Sequence, residues 1–485
     1  MIPAWKNKSW WLAVTAVVSL SGPVFAQKDV KSTESKNNAA ESMSADPRIA
    51  AALQQVSADR IRANIESLVG FGTRSTISAQ DQAAIGAEHG VGAAREWIKA
   101  EFERYSKECG GCLDVKTDTF TEPAGERIPQ PTEITNVYAV LKGTDAGNAK
   151  RIVLVTGHYD SRNSDIFDTK GNAPGANDDG SGTAVSLECA RVLSKLKFPA
   201  TIIFLTVAGE EQGLNGSQHF AKMAKDQGWD IEAVLNNDIV GGNTTPGDTL
   251  QLKDRVRVFS EGVPVAATPE QARRIRALGE ENDSPSRELA RAIADTGRTY
   301  FPAVAGAPFG AFLVGRPDRY GRGGDHTSFN REGFAAVRFT EWREDFNHQH
   351  QNIVMPPAGS SDPILGDLIQ FVDFNYVANV ARLNAATLAT LASAPGQPVK
   401  LTMVTKKLDN GSTLQWDAPA GAVANVHYEL LWRETTAPDW QYMQTVTPQA
   451  GAGPITVTVP ISKDNVVFGV RAVDAAGHRG LVQVP

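Results

Sequence analysis

Two stretches in the middle of the chain are almost continuously apolar. Arg151-Ile-Val-Leu-Val-Thr156 and Thr201-Ile-Ile-Phe-Leu-Thr-Val207 are β-branched and of strand length. Strands that are buried on both faces read this way, as in a parallel or mixed sheet covered by helices. Residues 182–196 between them have helical composition, which gives a β-α-β unit. In such sheets the ligand crevice lies beyond the carboxyl ends of the strands. Upstream, Ala94, Trp97, Ile98, Phe102 and Tyr105 recur at three- and four-residue spacing, the mark of an amphipathic helix packed on a larger body. The pattern predicts an α/β fold: a mixed, largely parallel sheet flanked by helices, beginning near Pro47.

A different rhythm follows. Residues 392–398 are small and Pro-rich, a linker signature. Beyond them short β runs at 400–404, 412–416, 427–432, 455–459 and 466–473 alternate with turns, which predicts an all-β sandwich over 398–485. Trp416 before Asp417-Ala-Pro, Tyr428-Glu-Leu-Leu-Trp432 and Phe468-Gly-Val-Arg-Ala-Val473 resemble a fibronectin type III module, in which both tryptophans are buried. A spacer or solubility role is expected of it, with contact to a polymer or a cell surface as the alternative, and 392–398 is the expected site of any proteolytic trimming.

The N-terminus carries Lys6 and Lys8, an apolar stretch from Trp10 to Leu20, and Val24-Phe25-Ala26. This is a secretory signal with cleavage after Ala26, so residues 1–26 are expected to be removed and the protein to be secreted or periplasmic. Residues 27–46 have little to bury and read as a flexible leader on the mature protein. No other stretch is long and apolar enough to span a bilayer. The formal charge of -7, with no basic run, excludes a nucleic-acid binder. Three cysteines cannot form a disulfide framework. Cys109 and Cys112 follow a helix and lead into an extended segment, so a local structural disulfide is favoured over a redox motif; Cys189 reads as a buried free thiol.

Chemistry gathers at the strand ends. Gly157-His158-Tyr159-Asp160 follows the first apolar run, and a carboxylate near a histidine can fix its tautomer. Pro174-Gly-Ala-Asn-Asp178-Asp179-Gly-Ser-Gly182 is a Gly-rich loop able to aim one carboxylate at a metal and turn its neighbour away. The second run ends in Ala208-Gly-Glu210-Glu211; adjacent side chains on extended backbone point oppositely, so one can bind a cation while the other faces substrate. Asp238 ends a third apolar run, and His348 and His350 lie together near the end of the unit. Two imidazoles and several carboxylates suit zinc or a similar divalent ion. One carboxylate more than a single tetrahedral site needs implies two metals.

GHYDSR, PGANDDGSGTA and AGEEQGLNGS, in that order and spacing, resemble the secreted di-zinc aminopeptidases of bacteria, whose wider family includes glutamate carboxypeptidases, transferrin receptor and glutaminyl cyclases. The resemblance runs from about 135 to 390, within a catalytic domain over 47–395 of zinc-exopeptidase type. It implies two Zn2+ per chain and peptide substrates. By carry-over His158 and Asp238 hold one zinc, Glu211 and a late histidine hold the other, and Asp178 bridges them. Asp160 orients His158, and Glu210 is the general base towards a bridging water. Relatives place the late histidine in a His-x-x-x-Asp pattern; His348 with Asn352 fits that spacing, so His348 is taken ahead of His350. His326, in a Gly-Asp-His segment, is assigned to substrate contact. Residues 241 to about 320 carry no family motif and are read as shaping the pocket. The function implied is an exported zinc-dependent exopeptidase, in the first place an aminopeptidase. The alternatives are a carboxypeptidase or amidase using Arg319, Arg322, Arg338 or Arg343 for a substrate carboxylate, a single-zinc glutaminyl cyclase-like acyltransferase, and a non-catalytic receptor-like module.

Overall fold

The structure is a computed structural model that describes residues 38–39, 43–304, 308–406, 408–419, 421, 426–448 and 453–485. The signal segment 1–26 lies outside the described residues. Of the leader 27–46, only Asn38–Ala39 and residues 43–46 are described: the first two pair antiparallel with Tyr442–Met443. Met43 and Ala45 pack against the main core.

The apolar runs at 151 and 201 are the centre of an eight-stranded sheet. Its order is Leu113–Glu122, Thr132–Leu141, Thr201–Val207, Arg151–His158, Asp230–Asn237, Ala336–Thr340, Arg255–Ser260, Gly310–Val314. The four strands from Thr201–Val207 to Ala336–Thr340 run parallel, and the antiparallel pairings lie outside them. This is the mixed sheet that the sequence predicts.

Alternation accounts for its two apolar faces. Val153, Val155, Ile202, Phe204, Ala233 and Leu235 face one core, under the helices Ala58–Gly70, Gly90–Glu108, Gly180–Leu193, Pro285–Val304 and Phe374–Ser393. Leu154, Ile203, Leu205, Val207 and Val234 face a smaller cluster with Phe220 and Ala221 of Asn215–Asp226 and Phe329 of His326–Arg331. The helix expected around 94–105 buries Ala94, Ile98, Phe102 and Tyr105. Cys109 and Cys112 form a disulfide at its end, and Cys189 is a buried free thiol. Among the described residues no helix is long and apolar enough to cross a membrane.

The C-terminal part forms a three-stranded antiparallel sheet and three strands of a four-stranded one that Asn38–Ala39 completes; the latter includes Tyr442–Val446, a strand its sequence does not announce. Trp416 and Trp432 are buried in the core of this part. The segment expected to be an open linker is enclosed. Residues 391–396 are buried, the Ala394 carbonyl accepts from Arg151 Nη1 at 2.8 Å, and the Ala392 carbonyl accepts the Ala200 amide at 3.0 Å. Small residues and prolines suit a tight buried crossing as well as an exposed one, which is why composition does not separate the two.

Candidate metal centre

Parallel strands that end at one edge deliver their next residues to one place. His158 is the last residue of its strand, Glu210 and Glu211 follow Thr201–Val207, and Asp238 directly follows Asp230–Asn237. Asp178 comes from the loop that enters the helix Gly180–Leu193.

His158 Nε2 lies 3.2 Å from Asp178 Oδ1 and 3.9 Å from Asp238 Oδ1. The other Asp178 oxygen is 3.0 Å from His350 Nε2, which is itself 3.1 Å from Glu211 Oε1. Two sets of ligand-type groups result: His158, Glu210 and Asp238 in one, Asp178, Glu211 and His350 in the other. Within each set the atoms lie within 4.8 Å of one another. Asp178 reaches towards both sets with different oxygens.

The surrounding hydrogen bonds fix these side chains. Asp179 turns away from the cluster, accepting the His158 amide at 3.0 Å and the Gly182 amide at 2.9 Å, and the Asp178–Asp179 peptide is cis. Asp367 accepts the Asp178 amide at 2.7 Å. Asp160 accepts the amides of Glu210 at 3.3 Å and Glu211 at 3.2 Å; its main-chain carbonyl lies 3.1 Å from His158 Nδ1, and its Oδ1 3.4 Å from the same nitrogen. The fully buried Arg338 sits 2.7 Å from the second oxygen of Asp238.

Charge is crowded here. Burial pushes the Glu210 carboxyl well above its usual range; His158 opposes this, while Asp238, Glu211 and Asp325 add to it. Burial also raises Glu211. His350 is held at about 11: burial disfavours its charge, but Glu211 and Asp178 more than offset that. Buried carboxylates this close require positive counter-charge. His158 Nε2 and Glu211 Oε1 are buried and make no hydrogen bond despite their close neighbours. Imidazole nitrogens and carboxylate oxygens without proton partners fit zinc or a similar divalent cation.

A family model described as "Peptidase family M28" matches residues 136–362, which contain every member of both sets. A protein of Pyricularia oryzae named "Probable zinc metalloprotease" is 44% identical over 447 residues, covering 91% of this chain and 84% of that one. The chain belongs to peptidase family M28. A Leptosphaeria maculans protein likewise named a probable zinc metalloprotease is 42% identical, over 88% of this chain and 94% of its own. Among solved structures, Legionella pneumophila LapA aligns with a TM-score of 0.48 at 22% identity, over 72% of this chain and 78% of that one.

The structure brings together His158, Asp160, Asp178, Glu210, Glu211 and Asp238. It does not bring His348. That ring stacks on Phe371, 3.7 Å between centroids, with its Nδ1 3.2 Å from Asn243 Oδ1. His350 stands beside Asp178 and Glu211 instead, from a left-handed backbone conformation at φ 53°. Turn geometry decides which imidazole faces inward, and motif spacing does not carry that information. Asn352, the other half of the spacing that favours His348, accepts the Ser164 amide. His326 is fully buried, its Nε2 2.7 Å from the Pro317 carbonyl and 3.7 Å from Asp318, which also lies 3.6 Å from Arg338. Asp367, Arg338 as a partner of Asp238, and the residues around Arg74 escape sequence reading, because a buried polar residue looks the same in sequence as an exposed one.

Proposed function

We propose that this M28 zinc metallopeptidase is a two-metal exopeptidase that removes residues from the free N-terminus of peptides. The observation that carries the two-metal reading is the pair of ligand sets meeting at Asp178. His158 and Asp238 would hold one ion, Glu211 and His350 the other, and Asp178 both.

Bound there, zinc supplies Lewis acidity that polarises a water and the scissile carbonyl. The chain does the rest. Asp160 takes the Nδ1 side of His158 and so leaves Nε2 with its lone pair. Arg338 neutralises and orients Asp238. Glu210, its carboxyl raised by burial, accepts the proton of the attacking water and delivers it to the leaving amine. His326 enters this reading through Asp318 and Arg338, as a support.

The choice of peptide end rests on the arginines. A carboxypeptidase needs a cation for the substrate's terminal carboxylate, but each candidate already faces an acid. Arg319 and Arg322 pair with Glu344 at 2.8 and 3.3 Å, Arg338 with Asp238 at 2.7 Å, and Arg343 with Asp248 at 2.6 Å. An acidic site favours an ammonium group instead. Export from the cytoplasm is part of the proposal, and the Cys109–Cys112 disulfide supports an oxidising compartment.

A substrate panel tests the reading. Aminoacyl substrates with a free α-amine should be cleaved, their N-blocked counterparts should not, and a chelator should abolish the activity. Cleavage confined to N-blocked peptides with acidic C-termini would point to a carboxypeptidase and end the aminopeptidase reading.

A further inference from the structure

The segment 73–76 lies outside the family-matched 136–362, yet it touches three of the stretches that feed the cluster, at 159–161, 174–175 and 209. Thr73, Arg74, Ser75 and Thr76 are all buried. The Arg74 guanidinium donates to four main-chain carbonyls: Tyr159 at 2.7 Å, Leu68 at 3.0 Å, Pro174 at 2.5 Å and Gly175 at 2.9 Å. Tyr159 adjoins His158, and 174–175 lead into Asp178. The Arg74 amide donates to Ser161 Oγ at 3.1 Å, and its carbonyl accepts the Ser161 amide at 3.2 Å.

Thr76 completes the set. Its hydroxyl donates to Asp160 Oδ2 at 2.8 Å and accepts the Gly209 amide at 3.0 Å. The Asp160 carboxylate holds the amides of Glu210 and Glu211 and lies 3.4 Å from His158 Nδ1, whose hydrogen-bond partner is the Asp160 carbonyl, so one hydroxyl secures the residue on which these three members of the cluster rest. A buried guanidinium bonded to carbonyls from two loops fixes their backbones relative to each other, through a planar fork that an ammonium cannot reproduce.

We propose that the 73–76 segment is a positioning element for the metal loops, and that Thr76, acting through Asp160, sets how tightly the centre holds metal. This rests on the two-metal reading above. A direct partner of a metal ligand, as Asp160 is of His158, typically contributes about 10–100-fold in metal affinity, and Thr76 acts on it from one step further out. Thr76→Val keeps the shape and removes both hydrogen bonds; Thr76→Ser keeps the hydroxyl.

The test is zinc competition against a chromophoric chelator on full-length holoenzyme, together with the visible spectrum of the cobalt-substituted protein. Thr76→Val is expected to bind metal up to about 10-fold more weakly, the lower end of the range for direct partners, and to shift the cobalt bands. Thr76→Ser should restore both. Arg74→Lys, which keeps the charge but not the four carbonyl bonds, should weaken metal in the same direction. Wild-type affinity and spectrum in Thr76→Val or Arg74→Lys, or an equal loss in Thr76→Ser, would overturn the proposal. A wild-type chain that binds no metal would remove the two-metal reading itself, a result distinct from either.

Discussion

Replacing Glu210 by glutamine is expected to lower kcat by about 10²–10⁴-fold, the usual contribution of a positioned general base, while the metal content stays at the wild-type level. The glutamine side chain has the same shape but cannot take a proton. The Glu210 main chain is held independently, through its amide to Asp160, so the substitution should leave the loop in place. Steady-state kinetics and metal analysis on the same preparation check this. Full activity would remove Glu210 from the proton-transfer role. Loss of a metal would show that Glu210 is a ligand, a role open to it because it lies in one set with His158 and Asp238.

A chain truncated after Pro395 is expected to be insoluble or to melt far below the full-length protein. The C-terminal sheets are not a free appendage. Arg433 pairs with Asp283 of the catalytic part, and both side chains are fully buried. Trp440 Nε1 donates to Glu288 at 2.9 Å, Arg291 donates to the Pro438 carbonyl at 2.8 Å, and His478 lies 3.1 Å from Asp46. Leu481, close to the C-terminus, belongs to the main core beside the sheet. Removing one partner of a buried ion pair costs about 3–5 kcal/mol, against a total stability of roughly 5–15 kcal/mol. Arg433→Met alone should therefore destabilise the protein substantially in chemical denaturation. Arg291, 3.3 Å from Asp283, compensates part of that loss and moves it towards the lower end. A truncated chain with full-length melting behaviour and activity would make the module a dispensable spacer.

Legibility in the sequence followed the physics of each element. Strands buried on both faces leave continuous apolar runs, so the sheet centre and the strand ends could be read directly. The Gly-rich and Glu-Glu loops are informative because charge at the end of a buried strand demands a reason. The strands at 255–260 and 310–314 were not legible, since short half-buried runs inside a segment without motifs resemble loops. The choice between His348 and His350 turns on one left-handed residue and a stacking partner, Phe371, that is distant along the chain. Arg74, Asp283 and Arg433 are charged residues in fully buried positions, and nothing in composition or periodicity marks a buried charge until its partners are known. The same limit makes the 392–398 crossing look like an exposed linker.

The most direct test is the number of metal ions per folded chain, measured by elemental analysis after dialysis against metal-free buffer. Two per wild-type chain are expected, with one lost in His350→Ala and both kept in His348→Ala. A wild-type protein holding one ion or none, or an unchanged count in His350→Ala, would contradict a centre built from two sets of side chains joined at Asp178.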